Sequence, residues 1–119
     1  MLPQRLDDFQ DRRYWDDFYT THASSSSSSE NVKAFEWFCS ADDLLHILDI
    51  PEGLVLHLGC GNSNLSVELS KRGVTTLNVD YSRVGLEEIA SRKEGTARSE
   101  FLESDALRLP LRKGVCLSL

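Results

Sequence analysis

Two glycines and one aspartate have the spacing of a nucleotide-cofactor pocket. Gly59 and Gly61 directly follow the apolar run Leu54–Leu58, and Asp80 ends a second apolar run, Val74–Val79. A glycine turn between a strand and a helix lets a ligand approach the backbone, and the helix N-terminus adds unpaired N–H groups. A carboxylate about 20 residues after such a turn can accept both ribose hydroxyls. A Gly-x-Gly sequence alone is more often a simple turn, but this complete arrangement predicts cofactor binding.

The third residue after Gly61 helps to separate two classes of cofactor. A dinucleotide fold prefers a third glycine there, next to the pyrophosphate, whereas this chain has Asn64. S-adenosylmethionine has no phosphate, so its pocket needs only a close backbone approach to the amino-acid moiety and the ribose. The sequence therefore favours S-adenosylmethionine, and an NAD-dependent oxidoreductase remains as an alternative. We assign no metal ligand and no catalytic residue.

The elements that must position these residues alternate along the chain. Apolar runs predict strands over residues 54–58 and 74–79, and residues 99–103 are interpreted as a short third strand. Amphipathic segments predict helices over residues 64–72 and 84–90. Strands and helices that alternate with short links form a parallel sheet with right-handed crossovers. The sequence therefore predicts an α/β domain.

The N-terminal third has a different composition. Residues 6–19 are aromatic and charged, and Trp15, Phe18 and Tyr19 could share one helical face. The serine run at 24–29 predicts a flexible insert. Ser40 has the position of a helix N-cap.

Composition excludes several classes of protein. With 119 residues and 40% hydrophobic residues, the chain has the length and core of one domain at most. Its net charge of −6 argues against a nucleic-acid-binding protein. No apolar run has the length of a membrane span. Three cysteines without a disulfide spacing, and no signal sequence, predict a reducing compartment, with the cytoplasm as the default.

Three further residues have both a functional and a structural interpretation. Asp105 follows the third strand, where it could contact an adenine or cap a turn. His57 lies inside the first strand and is interpreted as a structural histidine. Cys60 is interpreted as a small side chain in a tight turn, since no basic partner that could activate its thiol is evident nearby.

Four motifs in this chain resemble those of the seven-strand lysine methyltransferases of the elongation factor 1-alpha type. The resemblance covers about residues 9–111, and its most specific elements are Phe35-Glu36-Trp37-Phe38 and Gly59-Cys60-Gly61-Asn62-Ser63. The other two are the Tyr14-Trp15-Asp16 segment that ends at Tyr19, and Asn78-Val79-Asp80-Tyr81-Ser82.

The resemblance implies a Rossmann-like methyltransferase fold and a role for each matched residue. Methyl transfer from S-adenosylmethionine to a protein lysine, possibly of an elongation factor, would be the parent activity. The implied cofactor contacts are Trp15, Tyr19 and Trp37 as walls, Gly59 at the methionine moiety, Asp80 at the ribose, Tyr81 beside the adenine, and Asp105 and Ala106 at the adenine edge.

The C-terminal end departs from the family pattern. The family continues with a fourth strand that contributes to the cofactor and substrate sites, whereas residues 113–119 no longer follow the motif. The resemblance therefore implies that residues 1–119 form only the N-terminal half of the domain, as a truncated product with impaired activity. The first strand would then be an open edge. A non-catalytic fragment that binds cofactor or a partner protein is the alternative.

Overall fold

A four-stranded parallel sheet organises the chain. The computed structural model describes residues 5–24, 36, 39–50, 53–92, 98–112 and 117–118. A short 3₁₀ helix, Leu6–Gln10, precedes the helices α1 (Arg12–Ser24), α2 (Ala41–Ile47), α3 (Leu65–Lys71) and α4 (Arg83–Ala90). The strands are β1 (Leu54–Leu58), β2 (Thr75–Asp80), β3 (Ser99–Glu103) and β4 (Leu117–Ser118).

The sheet has the order β3-β2-β1-β4, with every neighbouring pair parallel. Leu58 at the end of β1 pairs with Val79, and Asp80 at the end of β2 pairs with Glu103. The carboxyl ends of β1, β2 and β3 therefore meet at one edge of the sheet, where α/β folds bind their ligands. The expected α/β, Rossmann-like arrangement of the first three strands is confirmed.

The expectation that β1 would be an open edge is wrong at two of its positions. Val55 pairs with Leu117 and Leu56 with Ser118, on the side of β1 opposite β2. A parallel ladder needs only backbone N–H and C=O groups, so this short segment can pair although its sequence departs from the family motif. The rest of the stretch 113–119 lies outside the described residues, as do residues 25–29 of the serine run.

Two clusters of buried apolar residues support the sheet. The larger joins α2, β1 and α3 through Ala41, Leu45, Val55, Leu65 and Leu69. The smaller contains Cys60 with Leu86 and Ile89 of α4, and Phe101 of β3 packs against it. Helix α4 is thereby held against the glycine turn.

Helix α4 approaches this turn through a glycine of its own. A methyl carbon placed on Gly85 would lie 2.9 Å from the carbonyl oxygen of Gly61 and 3.2 Å from Cδ2 of Tyr19. Because a real side-chain carbon essentially never comes so close to a backbone atom, Gly85 allows α4, the glycine turn and α1 to meet.

We expect Gly85→Ala to destabilise the protein by about 1–3 kcal/mol through overpacking. At an unhindered helical position the same substitution would stabilise the protein, because alanine is favoured over glycine by about 1 kcal/mol in a helix. Urea unfolding of this variant beside Glu87→Ala, an exposed substitution in the same helix, measures the effect. Unchanged or increased stability of Gly85→Ala would contradict the close packing.

Candidate cofactor site

A cavity of about 400 Å³ lies at the carboxyl edge of the sheet. Its walls come from the N-terminal helices, the glycine turn, the end of β2 and the segment after β3. The lining residues are Phe9, Trp15, Tyr19, Gly59, Val79, Asp80, Tyr81, Ser104 and Ala106.

Six residues singled out in the sequence meet in this cavity, namely Trp15, Tyr19, Gly59, Asp80, Tyr81 and Ala106. Gly61 and Asp105 are not among the lining residues, and Trp37 lies outside the described residues. The structure adds Phe9, Val79 and Ser104. The cavity lies where the strand, the glycine turn and the acidic strand end come together, and three of its lining residues are not among the cofactor contacts predicted from the sequence.

Asp80 connects the two loops that form the base of the site. Its Oδ2 accepts a hydrogen bond from the backbone N–H of Gly61 at 2.7 Å, and its Oδ1 accepts one from the N–H of Ser82 at 2.8 Å. Burial raises the pKa of this carboxyl group, and these hydrogen bonds oppose the shift because they favour the charged form. Asp80 is thus a carboxylate that the backbone has already oriented.

The two glycines of the turn have different surroundings. Gly59 and Gly61 both have positive φ, +64° and +52°, a region that favours glycine. A methyl group placed on Gly59 would meet no described atom within 4 Å, whereas one on Gly61 would overlap the hydroxyl of Tyr19. Gly59 therefore leaves space in the cavity, and Gly61 accommodates the aromatic wall.

Helix α1 supplies the aromatic wall. The rings of Trp15 and Tyr19 stack at 6.2 Å between centroids, and Trp15 Nε1 donates to the carbonyl of Phe9 at 3.1 Å. Asp16 attaches the helix to the site, because its Oδ1 accepts a 2.5 Å hydrogen bond from Ser82 Oγ. Phe9 was missed in the sequence because it belongs to the 3₁₀ helix and is out of phase with the stripe on α1.

The segment after β3 shows a turn-capping role for Asp105, whose contact with an adenine stays a prediction. Its Oδ1 accepts a hydrogen bond from the N–H of Leu107 at 2.9 Å, so the carboxylate caps a turn and the residue does not line the cavity. The neighbours Ser104 and Ala106 line it instead. The backbone N–H of Ser104 donates a hydrogen bond to the carbonyl of Asp80 at 2.9 Å. No sequence motif predicts this backbone contact.

His57 and Cys60 have the surroundings of structural residues. His57 Nδ1 lies 3.2 Å from Oδ1 of Asn78 on the neighbouring strand, and burial lowers the pKa of the imidazole. The thiol of Cys60 is buried, which raises its pKa far above neutrality and keeps it protonated. Neither residue has the geometry of a nucleophile.

The residues that the structure describes contain no metal-binding cluster of acidic, histidine or cysteine side chains and no membrane-spanning helix. In this part of the chain no group of three or more His, Cys, Asp or Glu side chains could hold a metal ion. Among the helices described there, none is long and apolar enough to cross a membrane.

Comparison with known proteins agrees with the geometry. The family model described as "Methyltransferase domain" matches residues 56–116. The chain is 31% identical over 114 residues to an eEF1A lysine and N-terminal methyltransferase of Bos taurus, covering 92% of this chain and 15% of that protein. It is 36% identical over 87 residues to EEF1A lysine methyltransferase 4 of Mus musculus, covering 70% of this chain and 31% of that protein.

These matches confirm the resemblance to elongation factor 1-alpha lysine methyltransferases. The chain spans about 15% of the length of the first relatives it matches. Among solved structures, it is similar to magnesium protoporphyrin IX methyltransferase (ChlM) from Synechocystis PCC 6803 with bound SAH. The TM-score is 0.45 and the identity 19%, over 92% of this chain and 44% of that chain.

The lowered pKa of His57 predicts a pH dependence of stability. Between this pKa and the unfolded value of about 6.5, the unfolded chain binds more protons, so the free energy of unfolding falls as pH drops below about 6.5. We expect His57→Gln to weaken this dependence, since glutamine can still bond to Asn78 but does not titrate. Urea unfolding between pH 7 and 5 measures it.

The exposed His46 on α2 supplies the control, because His46→Gln removes a histidine that is 69% exposed. The raised pKa of the Asp80 carboxyl group has the opposite effect, since it increases the free energy of unfolding as pH falls. Both variants retain Asp80, so this effect is the same in each. If the free energy of unfolding of His57→Gln changes with pH as it does in the unsubstituted chain, the buried imidazole is not the cause of this pH dependence.

Proposed function

Because the chain belongs to the methyltransferase domain family, we propose that it binds S-adenosylmethionine in the cavity at the carboxyl edge of the sheet. The transfer of its methyl group to the amine of a protein lysine is the activity we propose for the domain. One observation supports this most directly. The cavity combines an oriented carboxylate, Asp80, with open space at Gly59 and four aromatic rings.

The residues present fit this cofactor. Each carboxylate oxygen has more than one lone pair, so Asp80 can accept hydrogen bonds from the ribose hydroxyls while it holds Gly61 and Ser82. Open space at Gly59 suits the methionine moiety. Tyr81 and Ala106 both line the cavity, and we assign the adenine to them.

The aromatic rings suit the charge of the cofactor. S-adenosylmethionine carries its reactive methyl group on a cationic sulfonium, and aromatic faces attract cations. Trp15 and Tyr19 provide such faces, and Tyr19 has its hydroxyl against Gly61. These residues would bind and orient the cofactor, so the proximity of the methyl group to the lysine would supply most of the rate acceleration. We assign the deprotonation of the lysine to no residue of this chain.

The target we propose is a lysine of translation elongation factor 1A, in the cytoplasm. Two relatives that match 92% and 96% of this chain, from Bos taurus and Danio rerio, are named for that substrate. The net charge of −6 is compatible with a basic segment around the target lysine.

Calorimetric titration with S-adenosylhomocysteine tests cofactor binding, and Asp80→Ala tests the ribose assignment. We expect saturable binding by the unsubstituted chain. The substitution should weaken it at least about 10-fold, because it removes charge-assisted hydrogen bonds worth about 1.5–3 kcal/mol each. Asp49→Ala is the matched control, since this exposed carboxylate does not line the cavity.

Equal affinity of Asp80→Ala and the unsubstituted chain would refute the ribose assignment. Binding of NAD in place of S-adenosylhomocysteine would favour the oxidoreductase alternative. A radiolabelled methyl-transfer assay on elongation factor 1A then separates a catalytic domain from a fragment that only binds cofactor.

A further inference from the structure

The loop Asn62–Asn64 follows the glycine turn and is held by charged side chains that do not line the cavity. Asn62 and Ser63 are 1% and 9% exposed, so the polar groups of the loop have little access to water. Buried polar groups of an irregular loop need partners within the protein. Here those partners are Glu36, which precedes α2, and Glu88 and Arg92 at the C-terminal end of α4.

Glu36 binds hydrogen-bond donors of the loop. Its Oε1 accepts a hydrogen bond from the backbone N–H of Asn64 at 2.7 Å, and its Oε2 accepts one from Ser63 Oγ at 2.8 Å. Ser63 Oγ in turn accepts the N–H of Leu65 at 3.1 Å. The carboxylate thus fixes the point at which the loop enters α3.

Arg92, two residues beyond the end of α4, binds backbone carbonyl groups of the loop. Its Nη2 donates to the carbonyl of Asn62 at 2.6 Å, and its Nη1 donates to the carbonyl of Ser63 at 3.0 Å. Glu88 of α4 accepts a hydrogen bond from Asn62 Nδ2 at 2.7 Å. Two successive carbonyls and one side chain of the loop are therefore fixed to the α4 end of the domain.

The charges of this arrangement support one another. Burial lowers the pKa of the Arg92 guanidinium, while the carboxylates of Glu88 and Glu36 raise it. Charge-assisted hydrogen bonds are stronger than neutral ones, and a planar guanidinium can hold two acceptors in a fixed geometry. The loop is consequently held by two carboxylates and one guanidinium, which carry opposite charges.

We propose that Glu36 and Arg92 are positioning residues that hold the loop Asn62–Asn64 in the geometry the cofactor requires. The loop continues directly from Gly61, whose N–H is bonded to Asp80. A displaced loop would pull this N–H away from the carboxylate and change the cavity between them. This inference rests on the proposed function, because it concerns affinity for the same cofactor.

Affinity for S-adenosylhomocysteine, measured by calorimetry, tests the proposal in Arg92→Ala and Glu36→Gln. We expect each substitution to weaken binding about 10-fold or more, as one lost set of charge-assisted hydrogen bonds implies. Arg92→Lys should give an intermediate affinity, because an ammonium cannot reproduce the fork that holds both carbonyls. Thermal unfolding confirms that each variant is folded at the temperature of the titration.

Exposed charges on α4 provide matched controls. Arg83→Ala and Glu87→Gln remove the same charges from side chains that are 73% and 69% exposed, and they should leave affinity unchanged. Hydrogen exchange of the ligand-free protein gives a second measurement. Amides of residues 62–65 should exchange faster in Arg92→Ala and Glu36→Gln than in either control.

The outcomes separate this inference from the proposed function. Absence of binding by the unsubstituted chain would overturn the proposed function and this inference with it. If the unsubstituted chain binds the cofactor and both Arg92→Ala and Glu36→Gln bind it equally well, only the positioning role is overturned. This holds even if the amides of the loop exchange faster in the variants. Equal weakening in the exposed controls would also overturn it, since the effect would then come from net charge.

Discussion

The carboxylate of Asp80 accepts backbone hydrogen bonds from two loops that follow different strands. The N–H of Gly61 belongs to the turn after β1, and the N–H of Ser82 belongs to the turn that begins α4. Since β1 and β2 are parallel neighbours, a group at the end of β2 can reach both turns at once. The same carboxylate therefore shapes the site and remains available to a ligand. Its burial has an energetic cost that raises its pKa, and the two amides offset part of that cost.

A second set of contacts depends on this geometry. Ser82, held by Asp80, is the N-cap of α4, and its hydroxyl donates to Asp16 on α1. The aromatic wall is thus joined to the carboxylate of Asp80 through one serine. A change at Asp80 would reach α1 as well as the glycine turn, because the three groups share one chain of hydrogen bonds. The wall of the cavity and its base are therefore not independent parts.

Sequence patterns could predict the parts of this molecule that local signals determine. The bounds of β1 and β3 agree with the prediction. For β1 the reason is that an apolar run beside a glycine turn is a local feature. Contacts between distant segments could not be predicted in this way. Glu36 reaches Ser63 across 27 positions, and no spacing rule relates the two. Asp105 shows the other limit, since turn capping and ligand contact can use the same residue type. The structure shows the cap, and the contact with an adenine stays a prediction.

The two glycines of the turn show why a motif locates a site more reliably than it assigns roles. The Gly-x-Gly pattern suggests that both residues admit the ligand. In the structure only Gly59 lines the cavity, whereas Gly61 lacks a side chain because the hydroxyl of Tyr19 occupies that space. A side chain at Gly61 would therefore displace α1 before it met any cofactor. A substitution there and one at Gly59 would both impair a cofactor site, the first through the aromatic wall and the second through the cavity itself.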